Sequence, residues 1–259
     1  MNKLPISCYI VACNEVDRIA LTIASVRNLV DELIVIDSGS TDNTVALCES
    51  FGAKVIHNPW PGFGHQKRFG EDQCKHNWLL NLDADEELTP AIIGEIRALF
   101  AGGAPAVAAY MLRIRDLLPG EKKLAPLAHT DFRIRLYDKR KGRNEAQSYF
   151  DLVIIEQGEV VTLKHPVLHR SFRSLSHMIA KNNTNTDQLV PRMLERGLSY
   201  PYLRIAIEMP VAFFKAYILR GYFLRGWRGF IYANIYAYGR FVRIAKYIEA
   251  VEKQDDKMR

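Results

Sequence analysis

The sequence predicts an α/β layer sandwich with a mixed central sheet and a helical C-terminal extension. Strand-like apolar runs at 6–12, 33–36, 54–57 and 78–82 alternate with helical segments over the first hundred residues. Such alternation with short connections builds a parallel, right-handed βαβ layer. From about Ala106 strand-like runs follow one another with few helices between them, which adds antiparallel strands. The chain after Tyr200 is rich in aromatic, aliphatic and arginine residues at helical density.

Taken in order, Ile6 to Ala12 is a nearly continuous apolar run, as expected of a strand buried on both faces. Ile19, Ile23, Val26 and Val30 then recur at helical spacing, with Asn14 placed to cap that helix. Leu33 to Ile36 is the second strand, and Val45 to Phe51 is a helix stopped by Gly52. Lys54 to His57 is the third strand, a polar helix spans His65 to Lys75, and Trp78 to Leu82 is the fourth strand. Thr89-Pro90 opens a helix that ends near Gly102-Gly103. Strands are expected at Val107 to Ile114, Asp131 to Tyr137, Glu159 to Leu163 and Val167 to His169, and a helix from Ser174 to Arg196. The domain boundary falls after residue 198, with a first half over 1–103, a second half over 104–198, and the extension over 199–259.

The chain has 259 residues, 48% hydrophobic and 25% charged, an ordinary globular composition. Its formal charge of +6 points to an anionic partner, whether nucleic acid, membrane surface or phosphorylated ligand. The four cysteines, Cys8, Cys13, Cys48 and Cys74, form no C-x-x-C pair and read as buried free thiols. The N-terminus has no long apolar stretch of the secretory kind, and no run of about 18 charge-free apolar residues is present to span a bilayer.

In open α/β sheets ligands bind beyond the carboxyl ends of the strands. Three polar clusters sit there: Asn14-Glu15, Asp37 to Asp42, and Asp83-Ala84-Asp85-Glu86. Asp37 precedes its turn, where its carboxylate can accept from a pyrimidine N–H and ribose hydroxyls; the alternative is a turn carboxylate. A D-x-D pair arises by chance about once in a chain of this length, so position carries the argument. Just past a strand end the backbone turns, and Asp83 and Asp85 can face one hard cation. Mg²⁺ or Mn²⁺ suits such carboxylates together with substrate phosphates. Arg133 and Arg135 alternate with Phe132 and Ile134 and are expected on one strand face, available to phosphates.

Tyr9 to Glu15, Ile36 to Asp42 and Asn81 to Glu86 together resemble the nucleotide-binding half of glycosyltransferase family 2, inverting enzymes of GT-A fold, a Rossmann-type sandwich. The resemblance implies that Asn14, Glu15 and Asp37 bind the nucleoside of a nucleotide-sugar donor, that Asp83 and Asp85 hold the metal and diphosphate, and that Lys67 faces the nucleotide. Within the family the chain is most similar to small lipopolysaccharide core glucosyltransferases of the WaaE/KdtX type. Phe63 to Lys67, Asp131 to Tyr137, Val167 to His169 and the aromatic, basic C-terminus carry that similarity. It implies UDP-glucose as donor and a lipopolysaccharide-core or lipid-linked acceptor, with His169 reaching the metal or diphosphate. Those enzymes carry a His-Glu pair where this chain reads Phe150-Asp151, so Asp151 is the candidate general base; Glu145 and Glu156 are the alternatives.

The segment Tyr200 to Ala250 interleaves aromatics with lysine and arginine, which suits docking on an anionic membrane surface at the inner face of the cell membrane by an otherwise cytoplasmic protein. A packed core with a solvated basic face is the competing reading. A nucleotidyltransferase shares the layout, but it needs a glycine-rich phosphate loop that Val11 to Glu15 lacks. A basic RNA-binding or membrane-adaptor protein is the non-enzymatic alternative; no RNA-recognition signature is present, and no nucleic-acid partner is expected.

Overall fold

The computed structural model describes residues 2–125, 130–148, 151–198 and 202–258. Backbone contacts divide the chain into two compact units, Met1–Asp116 with Thr130–Ser171, and Leu117–His129 with Phe172–Arg259. The boundary expected after residue 198 lies inside the second unit, because the helix that follows Ser174 packs with the C-terminal helices.

The first unit contains β1 (Leu4–Ala12), α1 (Ile19–Val26), β2 (Val30–Asp37), α2 (Thr44–Ser50), β3 (Lys54–His57), α3 (Phe63–Asp72), β4 (Trp78–Asp83), β5 (Glu86–Leu88) and α4 (Pro90–Leu99). It continues with β6 (Ala109–Asp116), β7 (Thr130–Asp138), β8 (Gly142–Asn144), β9 (Val153–Ile155) and β10 (Val160–His169). Eight strands form one mixed sheet in the order β3-β2-β1-β4-β7-β6-β10-β5, and β8 pairs with β9. This is the expected sandwich with a mixed central sheet.

β1 lies between β2 and β4, parallel to both, and is buried on its two faces. Ile6, Cys8 and Ile10 pack with α1 and α4 residues such as Ile23 and Ile96, whereas Tyr9 faces the opposite core with Leu79 and Tyr137. Burial on both sides explains the continuous apolar run. Ala12 pairs with Asp37 and Val11 with Asp83, so the three acidic or amide-bearing strand ends emerge along one edge.

The strand β5, invisible to periodicity in a three-residue acidic segment, closes the architecture. It is antiparallel to β10, with Glu86 opposite His169. Four strand-to-strand steps separate β4 from β5, about 19 Å in a flat sheet, yet Asp83 and Glu86 are three residues apart and span at most about 11 Å. The sheet therefore curls so that its far edge returns to the end of β4. The segments expected separately at 159–163 and 167–169 are one strand, β10, with a register break between Thr162 and Pro166.

Helix boundaries follow local chemistry where it is strong. The Thr89 hydroxyl accepts from the Ile92 amide beside Pro90 at the first helical turn. Asn14 does not cap α1, which begins after Arg18 without a side-chain cap. Asn14 adopts a left-handed backbone, φ 54°, a conformation asparagine tolerates. Cys8, Cys48 and Cys74 are buried free thiols as expected, but Cys13 is exposed.

The second unit holds α5 (Leu175–Glu195), whose Ser174 cap accepts from the His177 amide, α6 (Leu203–Phe214) and α7 (Gly226–Met258), with a π-turn at Lys215–Leu219 and a 3₁₀ turn at Tyr222–Arg225. Met178, Ala216, Tyr222 and Tyr232 form its core. Among the described residues no helix is long and apolar enough to cross a membrane.

Candidate functional site

Helix α3 positions the first group. It buries polar residues, Gln66, Lys67 and Glu71, against the sheet, the reverse of an ordinary surface helix. Lys67 is thus no solvated helix charge: it is 1% exposed, and its Nζ donates to Asn81 Oδ1 and Asp83 Oδ1, both at 2.6 Å. Burial pushes the Lys67 ammonium below its usual range, with Asp83 partly restoring it.

The same helix anchors the segment that carries Asp151. Glu71 Oε1 accepts from the Asn144 amide at 2.8 Å and from the Tyr137 hydroxyl at 2.5 Å. The Gly64 amide donates to the Ser148 carbonyl. A Cβ on Gly64 would lie 2.2 Å from the Glu145 carbonyl oxygen, so only glycine permits this approach.

Arg135 is the hub. It sits at a bulge in β7, where Tyr110 pairs with Leu136 but Met111 pairs with Ile134. The extra residue breaks the alternation: Leu136 joins one core while Ile134 packs on the other. Arg135 consequently turns inward, 3% exposed. Its Nη2 lies 2.6 Å from Asp83 Oδ2 and 2.5 Å from Glu86 Oε1, and its Nη1 grips Asp151 Oδ2. Arg133 is exposed. The expected single face is therefore realised only in that both arginines border one cleft.

That cleft encloses about 230 Å³ and is lined by Phe63, Asp83, Glu86, Arg135, Asp151 and His169, with Ile114, Asp131 and Arg133 at the side of β6 and β7. Asp151 also accepts from Asn81 Nδ2 at 3.2 Å and lies 3.7 Å from Lys67 Nζ. Phe150 lies outside the described residues. Glu145 and Glu156, the alternative bases, do not line the cleft.

Asp85 occupies a second cluster. Its Oδ2 accepts from Arg18 at 3.1 Å and its Oδ1 lies 3.4 Å from His169 Nε2, while His169 Nδ1 meets Asp116 at 2.9 Å. Burial works against the His169 imidazolium, but hydrogen bonds with Asp116 and Asp85 prevail and push its pKa up to about 10. Burial likewise opposes ionisation of Asp83, yet the Arg135 and Lys67 charges hold it far below the usual carboxylate range. Glu86, fully enclosed, is raised by burial in spite of Arg135.

The nucleoside candidates organise the neighbouring loops. The Asn14 side chain accepts from the Thr41 amide at 2.8 Å, and the Asn14 amide donates to Ser40 Oγ. Asp37 accepts from the Gly39 and Ser40 amides. Burial raises its carboxyl, but these bonds with the Ser40 hydroxyl and His57 outweigh it and hold the pKa low. Glu15 pairs with Arg18 at 2.6 Å, and Arg18 continues to Asp85. Arg18 and Asp116 carry no signal in the sequence, and Asn81 and Glu86 lie within the acidic strand-end motif without a role of their own. Arg18, Asn81 and Asp116 acquire theirs from partners 53 to 70 residues away in the chain.

Among the described residues no three His, Cys, Asp or Glu side chains gather as a metal-binding group. The donors at hand that suit a hard divalent cation are the carboxylates of Asp83 and Asp85, a partial set that substrate phosphates would complete; His169, held as the imidazolium between Asp116 and Asp85, could join them only after losing its proton.

Comparison with known proteins places the chain. An uncharacterized glycosyltransferase of Rickettsia felis is 37% identical over 257 residues, covering 96% of this chain and 91% of that one. The lipopolysaccharide core biosynthesis glycosyltransferase LpsC of Rhizobium meliloti is 28% identical, covering 94% and 92%. A structure of Mycobacterium tuberculosis glucosyl-3-phosphoglycerate synthase in complex with Mn²⁺ and UDP-glucose is 19% identical over 75% of this chain and 80% of that one, with a TM-score of 0.45. Residues 7–155, from β1 through β9, match the glycosyl transferase family 2 description, and the chain accordingly belongs to that family of glycosyltransferases.

Proposed function

We propose that this enzyme is an inverting hexosyltransferase that moves glucose from UDP-glucose to a lipopolysaccharide-core or other lipid-linked acceptor, as a peripheral protein on the inner face of the cell membrane. Family membership sets aside the nucleotidyltransferase and non-enzymatic alternatives. The observation that carries the reading is the convergence of Asp83, Arg135 and Asp151 on one cleft at the carboxyl edge of the parallel strands, with the buried Lys67 paired to Asp83 and Asp151 behind them. The name of the Rhizobium relative supports the acceptor class.

Asp83 and Asp85, with His169 once the cation displaces its proton, would hold Mg²⁺ or Mn²⁺, whose charge would stabilise the departing nucleoside diphosphate as a Lewis acid. Lys67 and Arg135 are preorganised cations that a diphosphate can engage. Both now hold carboxylates, so an arriving diphosphate competes for them and loosens their grip on Asp151. The released Asp151 carboxylate takes the proton of the acceptor hydroxyl as that oxygen attacks the sugar carbon opposite the leaving group. Asn14, Glu15 and Asp37 set the loops that receive the nucleoside, and Arg133 at the open side of the cleft meets anionic groups of acceptor or donor.

A panel of UDP, GDP and CMP sugars, assayed for binding and hydrolysis with Mn²⁺ or with EDTA, tests this. Metal-dependent turnover with UDP-glucose foremost is expected. Failure to bind any sugar nucleotide would overturn the proposal.

A further inference from the structure

Helix α6 is inside out. Its buried side carries Glu208, which accepts from Arg204 at 3.2 Å and from Arg240 of α7 at 2.9 Å, followed by Ala212 and Ala216. Its outward side is formed by Leu203, Ile207, Val211 and Phe214 and continues through the π-turn to Ile218, all exposed. Ala206 and Pro210 fill the spaces between them. The exposed Lys215 borders this stripe between Phe214 and Ile218. A water-facing helix places its ionic residue outside and its apolar residues inside, and α6 does the opposite at both.

The apolar surface extends past the end of the helix. Leu219 is 67% exposed, and at the following turn Leu224 and Trp227 are exposed, Trp227 by 70%. Arg228 lies 5.5 Å from the Trp227 ring. The charge beside the stripe is basic: between residues 203 and 248 there are eight Lys and Arg residues and one acidic residue, Glu208, which faces inward. Arg204 and Arg240 pair with Glu208, Arg225 with Glu121 and Lys246 with Asp187, while Lys215, Arg220 and Arg228 directly follow the exposed Phe214, Leu219 and Trp227 in the chain. A second copy of this chain docking through the same face would set basic residues against basic residues. An anionic lipid surface meets both requirements, apolar depth for the stripe and negative charge for its surroundings. Among the described residues no helix is long and apolar enough to span a bilayer, and the outward apolar face of α6 suits a helix lying in the interface.

We infer that the outward face of α6, with the exposed Leu219 and Trp227 beyond it, is the surface by which this protein seats itself on anionic lipid. The inference rests on the peripheral placement proposed above and assigns it to one helix face, away from the more extended α7. The seat is independent of the donor chemistry in the other unit.

The full chain is to be floated with vesicles of phosphatidylglycerol and phosphatidylcholine, and with phosphatidylcholine alone, at low and high salt. Binding to the anionic vesicles that weakens with salt is expected. The combined variant Leu203→Ser, Ile207→Ser, Val211→Ser and Phe214→Ser should lose roughly tenfold or more of that affinity, with unchanged circular dichroism and unchanged UDP-glucose hydrolysis. A milder variant, Trp227→Ala, checks the same surface should the first fail to fold. Retention of vesicle binding by both variants overturns the assignment. So does a wild-type dimer that dissociates in the serine variant, which would identify a second copy as the occupant. Loss of hydrolysis with vesicle binding intact would count against the enzyme reading alone.

Discussion

Lys67 Nζ lies 2.6 Å from Asp83 Oδ1, a buried ammonium held against the carboxylate that ends β4. Arg135 takes the other oxygen of the same carboxylate. Two cations thus converge where the proposed diphosphate arrives, and the organisation of the cleft depends on both.

Replacing Lys67 with Met keeps the volume of the buried stem and removes the charge. The variant should lower kcat/KM by about a hundredfold or more, the scale of losing one preorganised electrostatic group. Calorimetric titration with UDP should show the loss in donor binding. Wild-type affinity would remove Lys67 from the donor site.

Asp85→Asn should abolish metal-stimulated transfer while leaving the thermal unfolding curve nearly in place, since Arg18 retains Glu15 and the Arg170 carbonyl as partners. Activity titrated against Mn²⁺ provides the check. Unaltered metal dependence would exclude Asp85 as a ligand.

Asp151→Asn should reduce kcat by about 10²- to 10⁴-fold, the usual span for a general base, with little change in donor affinity. Single-turnover kinetics beside UDP binding separate the two effects. A pure loss of donor binding would move the base elsewhere.

Gly64→Ala must displace backbone, because its Cβ would meet the carbonyl oxygens of Glu145 and Ala146 at 2.2 and 2.5 Å. A cost of about 1–3 kcal/mol is expected, together with reduced turnover as the segment leading to Asp151 shifts. Urea unfolding and steady-state kinetics on one preparation would show whether the two losses accompany each other.

Asp37→Asn removes a carboxylate whose pKa is lowered in the fold. Such a group stabilises above its unfolded value and loses that contribution as pH falls through the folded value. The variant should be less stable than wild type at pH 7, by about 1–2 kcal/mol, and the gap should narrow as pH falls below about 4. Denaturant melts at the two pH values measure it.

The parallel half of the fold was legible because its central strands are buried on both faces and the helices α1 and α4 repeat their apolar residues at helical spacing. Ile6 to Ala12 and Trp78 to Leu82 illustrate how local burial writes itself into composition. β5 was not legible: Glu86 to Leu88 is short and acidic, and its strand character comes from pairing with β10. Asn14 misled for a related reason. Asparagine suits a helix cap and a left-handed turn alike, and the choice was made by Ser40 and Thr41, 26 and 27 residues away.

The sequence by itself determined the α/β class, the register of acidic strand ends along one edge, and the family to which they belong, since these follow from local periodicity and contiguous motifs. Only the tertiary structure decided that Lys67 is buried, that a bulge turns Arg135 inward to join Asp83, Glu86 and Asp151, and that α6 faces its apolar side outward. The first two depend on the curl of the sheet and the third on the pairing of Glu208 with Arg240; in each the cost of enclosing a charge is offset by partners far away in the chain.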